Sequence, residues 1–166
     1  MKKFTRLSLL LALAVALSII ETNIPFFNGL IPGLKLGLAN IVSLFILYEF
    51  GLKDALYIGI LRVFLVGILR TGLFGTTFLF SLTGTFISII MMYLVSKLKL
   101  SIIGVSIVGS ISHSIGQILI AIIILKMPNM IYYLPWLLLF SIPTGIIVGI
   151  ISKQLIKYYE ENLLIE

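Results

Sequence analysis

The sequence predicts an all-α integral membrane protein with six transmembrane helices. Of its 166 residues, 60% are apolar and 11% are charged, and the mean hydropathy of +1.23 lies far above that of soluble domains. Six apolar segments follow one another with short links. The chain has room for about six spans of roughly 20 residues and little else. The basic residues fall mainly between these segments.

The apolar segments cover residues 4–20, 36–50, 55–69, 73–95, 101–125 and 131–156. Each is expected to be helical, because lipid offers no hydrogen-bond partners and every backbone group must find one within its own segment. No internal repeat or low-complexity linker divides the chain, so residues 1–166 are expected to form a single transmembrane domain. Cysteine is absent, which excludes disulfides and thiolate chemistry.

The first segment follows Lys2, Lys3 and Arg6, a pattern that a cleaved signal peptide would share. Because five more apolar segments follow, we expect an uncleaved helix. Ala12 and Ala16 are four residues apart, and small residues at this spacing let another helix approach closely. The pattern fits packing within the bundle or docking of a second membrane protein.

The link between the first two segments reads "ETNIPFFNGLIPGLK", and its two prolines and two glycines prevent a continuous helix. Its apolar residues would pack over a pocket or rest among lipid headgroups. Glu21 begins the link and Lys35 ends it. Asn40 follows about one and a half helical turns into the second segment.

The third segment contains Arg62, and Arg70 ends it. An arginine within a span costs several kcal/mol, so Arg62 requires a partner or water. Glu21 could provide an ion pair to Arg62 or to Lys35, and a bound anion could provide the same charge. The fourth segment has a weakly polar face that we interpret as helix packing, formed by Thr77, Ser81, Thr85 and Ser88.

The fifth segment carries Ser106, Ser110, His113 and Gln117 at spacings of four, three and four. These spacings place the four side chains in one stripe, which is expected to point inward. His113 either packs with its ring hydrogen-bonded inside the bundle or contacts a ligand. A single histidine without acids or cysteines nearby predicts no metal site. In the sixth segment, Pro143 predicts a kink or a broken turn.

Basic residues orient the predicted bundle. With both termini in the cytoplasm, eight basic residues lie inside and three outside, as the preference for positive cytoplasmic loops requires. The inner group is Lys2, Lys3, Arg6, Lys53, Lys97, Lys99, Lys153 and Lys157, and the outer group is Lys35, Arg70 and Lys126.

In this orientation the strongly polar side chains occupy the outer half of the membrane, which predicts a pocket open to the outside. The predicted pocket residues are Glu21, Lys35, Asn40, Arg62, His113 and Gln117. Lys35 and Arg62 would hold an anion, since cationic groups outnumber their counterions there. Asn40 and Gln117 would orient the ligand by hydrogen bonds, and Glu21 would tune the charge or gate the link.

Several blocks give the chain a family resemblance. They are Glu21 with Pro25, "PGLKLGLANIV" at residues 32–42, Arg62, "FSLTG" at 80–84, "IGVS" at 103–106 and "SHSIGQ" at 112–117. On these blocks the sequence resembles the bacterial Gx transporter family, whose members are also labelled heptaprenyl diphosphate synthase component I. Members tend to carry asparagine after the histidine, where this chain has Ser114.

The Gx transporter family is similar to the substrate-binding S-components of energy-coupling factor importers. The resemblance implies an S-component-like six-helix bundle in the bacterial cell membrane, with an outward pocket capped by the link between helices 1 and 2. It also implies that Ala12 and Ala16 dock on an energy-coupling transmembrane subunit driven by ATPases. The expected function is uptake of a small anionic organic solute, such as a vitamin or cofactor precursor.

The synthase label gives the alternative function, a membrane accessory subunit of isoprenoid or quinone synthesis. Prenyl diphosphate synthases hold magnesium with clustered aspartates, and this chain has one aspartate, Asp54. We therefore expect no enzyme activity, no cofactor and no nucleic-acid partner. A structural or assembly subunit is a third reading. The chain has no Gly-rich ATP-binding loop, so it would depend on partners for energy.

Overall fold

The computed structural model describes residues 2–23 and 37–163. This part of the chain is all-helical, as predicted, and each predicted apolar segment contains one helix. The helices are α1 (Lys2–Thr22), α2 (Leu38–Glu49), α3 (Leu52–Val66) with a π-helical turn (Gly67–Thr71), α4 (Thr76–Ser96), α5 (Ile102–Ile123) and, after a 3-10 turn (Pro128–Tyr133), α6 (Leu134–Leu163).

Four of these helical runs are long and apolar enough to cross a membrane. They are Lys3–Glu21 in α1, Thr76–Ser96, Ile102–Ile123 and the run Pro128–Glu161 that contains α6. The other two helices are shorter, with 12 residues in α2 and 15 in α3. The long helices indicate a membrane-embedded bundle. The predicted count of six spans is supported for four helices only.

α2 is the shortest of the described α-helices, and protein surrounds it. Residues 39–47 are all buried, and the helix packs against α1, α3 and α6. Leu44 and Ile46 are completely inaccessible to solvent. A helix that is apolar all round belongs in the centre of a bundle. The apolar sequence of α2 resembles that of a lipid-facing span. In the structure, however, its neighbours are other helices.

Glycines allow the other helices to approach closely. α5 lies between α4 and α6. Gly145 and Gly149 of α6 face the α5 backbone, where a Cβ atom would come within 2.8 Å of the Ile107 and Ile103 Cα atoms, respectively. α6 continues through Pro143 as an unbroken helix, so the broken turn considered for this residue does not occur.

The first residues of α1 and the last turns of α6 lie at the same end of the bundle. Lys3 Nζ lies 2.8 Å from Asp54 Oδ2, which joins the start of α1 to the start of α3. Arg6 Nη1 donates a hydrogen bond of 2.8 Å to Tyr159 Oη, which joins α1 to the far end of α6. We call this the basic end. An apolar cluster that includes Phe45, Ala55 and Met92 packs behind it.

We expect Gly145→Ala to destabilise the protein by about 1–3 kcal/mol, because the new methyl group would overlap backbone atoms of α5 that cannot move aside cheaply. Thermal unfolding in detergent measures this loss. Gly104→Ala is the matched control, since the nearest atom to its Cβ would be 3.4 Å away, an ordinary contact, and alanine favours the helix. Equal melting temperatures for the two variants would contradict the close approach of α5 and α6.

Candidate functional site

A polar cavity lies at the end of the bundle opposite the basic end, and all six helices contribute to its wall. Its empty space, with the open mouth included, is about 730 Å³. We call this end the cavity end. The lining residues are Ser18, Glu21, Gly37, Ala39, Asn40, Arg62, Val63, Val66, Ser81, Thr85, Ser110, His113, Ser114, Gln117, Leu137, Ser141 and Thr144.

The structure brings five of the six predicted pocket residues to this cavity. Glu21, Asn40, Arg62, His113 and Gln117 all line it, although they come from four different helices. The sixth, Lys35, lies outside the described residues. The convergence follows from the alternating direction of the helices, since the last turns of α1 and the first turn of α2 meet at one end. Binding by these residues stays a prediction.

Arg62 is buried, with 6% of its surface exposed, and its guanidinium is held by α4. Its Nη2 donates a hydrogen bond of 2.7 Å to Thr85 Oγ1. Gly59, one turn earlier on α3, permits this contact, because a Cβ there would lie 3.1 Å from Thr85 Cγ2 and 2.7 Å from Ile89 Cδ1. Thr85 thus fixes one edge of the guanidinium. A guanidinium carries five N–H donors, so other N–H groups remain for the cavity.

Glu21 joins α1 to the beginning of α2. Its Oε1 accepts a hydrogen bond of 2.5 Å from the backbone N–H of Gly37, the residue just before α2. A carboxylate at this position also interacts favourably with the positive end of the helix dipole. Glu21 contributes a favourable Coulomb interaction to Arg62 as well. Glu21 therefore has a structural role at the start of α2, and the expected ion pair of Glu21 with Arg62 or with Lys35 stays a prediction.

Gly37 itself requires glycine. Its φ of 75° lies in the left-handed region, which side chains other than glycine rarely adopt without strain. A Cβ there would also lie 3.3 Å from Asn40 Nδ2. The "GLAN" portion of the "PGLKLGLANIV" block thus combines a backbone turn at Gly37 with the cavity side chain of Asn40.

Two further sequence blocks meet across α4 and α5. Gly84 ends "FSLTG", and the His113 ring of "SHSIGQ" occupies the space where a Cβ on Gly84 would be, with His113 Cε1 2.8 Å from that position. Gly116 faces Thr83 O and Gly84 Cα, at 3.1 and 3.2 Å from its own Cβ position. Both glycines are needed for the imidazole to lie between the helices and still reach the cavity.

Gln117 brings a buried hydrogen-bond donor to the cavity wall. The residue is 3% exposed, and its Nε2 has no hydrogen-bond partner among the described residues. A buried polar group of this kind is costly unless water or a ligand satisfies it. Ser114, one turn earlier, lies 2.6 Å from Ser141 of α6, Oγ to Oγ, and Ser141 Oγ donates at 2.6 Å to Leu137 O.

The predicted packing face of α4 is only partly correct. Ser88 Oγ does pack against α5 and donates to Gly109 O at 2.8 Å. Thr77 is exposed. Ser81 and Thr85, however, line the cavity, and sequence reasoning missed them as site residues. Their spacing of four is visible in the sequence, but the proximity of Thr85 to Arg62 is visible only in the packed helix pair.

Two further cations among the described residues lie at the surface of the cavity end. Arg70 is exposed, and its Nη2 donates to the side-chain oxygen of Asn23 at the end of α1. Lys126 is exposed as well. Neither lines the cavity, in agreement with their omission from the predicted pocket. They add positive potential around its mouth.

Ala12 and Ala16 face outward from the bundle. Both are exposed, whereas Ala14 and Val15 on the other side of α1 are buried against neighbouring helices. The two alanines therefore do not pack inside this bundle, which was the first of the two interpretations. Their face is available to a second membrane protein, which was the other. That availability leaves docking itself a prediction.

Comparison with known proteins identifies the family. The sequence model of a family described as heptaprenyl diphosphate synthase component I matches residues 10–155. The chain belongs to this family. The match to heptaprenyl diphosphate synthase component I proteins runs from α1 into α6 and contains every residue that lines the cavity. No curated protein and no solved structure matches the chain significantly.

The contact between Arg62 and Thr85 leads to a stability prediction. We expect Thr85→Val to lower the free energy of unfolding by about 1–3 kcal/mol, because it leaves a buried guanidinium N–H without its acceptor at nearly unchanged volume. Thermal unfolding measures the change. Thr85→Ser, which keeps the hydroxyl, should retain most of the stability, and Thr77→Val on the exposed face should be neutral. A neutral Thr85→Val would contradict the role given to the hydroxyl.

Proposed function

We propose that the protein is a membrane substrate-binding subunit, like the S-components of energy-coupling factor importers, and that it takes up a small anionic organic solute. The observation that carries the proposal is the convergence of Glu21, Asn40, Arg62, His113 and Gln117 on one cavity. A polar cavity confined to one end of an apolar bundle is suited to binding from that side, whereas a channel would need polar groups through the full thickness.

Arg62 is the residue proposed to hold the anion. Its guanidinium is buried and positioned by Thr85, so the side chain is ordered before a ligand arrives. In a low-dielectric cavity a charge-assisted, bidentate contact to a carboxylate or phosphate is stronger than in water. Glu21 offsets part of the charge, and Lys35 is proposed as the second cation from outside the described residues.

We place the basic end in the cytoplasm and the cavity end outside. Lys3, Arg6 and Lys157 belong to the basic end, and positive residues concentrate in cytoplasmic loops. Uptake would then begin at the cavity mouth. Because the sequence contains no ATP-binding loop, energy would come from a coupling subunit and its ATPases, seated on the exposed face of Ala12 and Ala16.

The family description favours a second candidate, an accessory membrane subunit of heptaprenyl diphosphate synthesis. The cavity would then receive a prenyl diphosphate headgroup at Arg62. The single aspartate, Asp54, is paired with Lys3 at the basic end, far from the cavity, so this role would be supportive and the magnesium-dependent chemistry would belong to a partner.

Native mass spectrometry of the gently extracted protein tests the proposal. We expect the wild type to retain a small organic anion and Arg62→Ala to bind it about 10-fold to 100-fold more weakly, because a charge-assisted contact is lost. Arg70→Ala, which removes an exposed cation at the mouth, is the matched control and should retain the ligand. Undiminished binding in Arg62→Ala would exclude the assignment, and a bound prenyl chain would favour the second candidate.

The docking face has its own test. We expect Ala12→Leu with Ala16→Leu to abolish copurification with a coexpressed energy-coupling transmembrane subunit, because large side chains would hold the two helices apart. Leu13→Phe, at a neighbouring exposed position, is the control for bulk elsewhere on the helix. The melting temperature of the isolated protein should not change. Copurification that survives the double substitution would remove the coupling subunit from the proposal.

A further inference from the structure

The wall of the cavity formed by α5 has a fixed hydrogen-bonding polarity. Ser141 has one hydroxyl proton, and it is donated to Leu137 O, which can only accept. In the 2.6 Å contact between the two hydroxyls Ser141 must therefore accept, and Ser114 must donate. With its proton directed at α6, Ser114 Oγ offers the cavity a lone pair and no hydrogen.

Gln117 has the opposite polarity at the next turn of the same helix. Its buried Nε2 carries N–H groups for which the described residues provide no acceptor, and the residue lines the cavity. Positions three apart lie side by side on one helix face. Ser114 and Gln117, which both line the cavity, therefore place an acceptor and an unsatisfied donor next to each other.

We propose that Ser114 and Gln117 form a recognition edge for an amide-like group of the ligand, in which an N–H is adjacent to a C=O. The ligand N–H would donate to Ser114 Oγ, and the ligand carbonyl would accept from Gln117 Nε2. Amides, lactams and the imide edge of pyrimidine-like rings have this pairing. The inference rests on the proposed function, because the anionic group of the same molecule is assigned to Arg62.

This edge adds selectivity to the charge contact. A site with buried polar groups rejects a molecule that has no matching hydrogen-bonding groups. Binding of such a molecule would leave the polar groups of the site unsatisfied. A simple monocarboxylate of the same shape should therefore bind less well than an acid that also carries an amide. Each hydrogen bond that is lost should weaken binding by about fivefold to tenfold.

Two pairs of probes separate the edge from the anion site. Orotate and 5-oxoproline each carry a carboxylate and an amide-like edge, whereas benzoate and cyclopentanecarboxylate have similar rings and a carboxylate only. Calorimetry on the detergent-solubilised wild type should give at least about tenfold tighter binding for one amide-containing acid than for its partner. This ratio should fall towards one in Gln117→Leu and in Ser114→Ala.

Two control variants test for indirect effects. Ser106→Ala removes a buried hydroxyl of the same helix that has no hydrogen-bond partner among the described residues and does not line the cavity. Gln154→Leu changes an exposed residue of α6. Both should keep the wild-type ratio. Melting temperatures of all variants, measured without probe, show whether each protein is folded.

The outcomes distinguish the inference from the proposed function. Equal affinities within both pairs, with binding abolished by Arg62→Ala, would overturn the amide edge and leave the anion site standing. A preference that persists in Gln117→Leu and Ser114→Ala would also overturn it. Absence of binding for all four acids at millimolar concentrations, or binding that ignores Arg62→Ala, would count against the anion site and so against both.

Discussion

The buried guanidinium of Arg62 is the constraint on which the rest of the cavity depends. A charge in the interior of an apolar bundle is unfavourable unless several groups stabilise it. Thr85 accepts its hydrogen bond, and Glu21 supplies the nearby negative charge while also holding the start of α2. The first contact ties α3 to α4, and the second ties α1 to the start of α2. The same contacts that stabilise the buried charge of Arg62 also fix the orientation of its guanidinium. The stability of the bundle and the geometry of the cavity therefore have a common origin.

Close contacts between helices allow the cavity side chains to meet. Gly59 lets Thr85 approach Arg62, and Gly84 makes room for the His113 ring. Larger residues at these positions would separate α4 from its neighbours by the width of a methyl group or more. Gly59 and Gly84 are thus explained by contacts with cavity side chains and not by flexibility of the helices.

The sequence predicted the helices and most of the site, and its failures have physical causes. Polar residues in apolar segments are rare enough that Glu21, Asn40, Arg62, His113 and Gln117 could be identified by type and depth alone. Ser81 and Thr85 could not, because hydroxyls are common in membrane helices and usually bond within them. The predicted count of six spans is supported for four helices only, since an apolar run reads the same whether lipid or protein surrounds it. The hydrogen-bonding role of Ser114 could not be predicted either, because it depends on Ser141, which lies on another helix.

The shortness of α2 has a consequence for how a ligand would experience its surroundings. Twelve residues rise by about 18 Å, against a hydrocarbon layer about 30 Å thick. Gly37 and Asn40 line the cavity at the end of this helix, and a helix of this length cannot bring both of its ends to the lipid headgroups. A solute bound at an end of α2 that lies within the hydrocarbon layer would be shielded from mobile ions, which would screen its attraction to the protein far less than they screen a contact at the membrane surface.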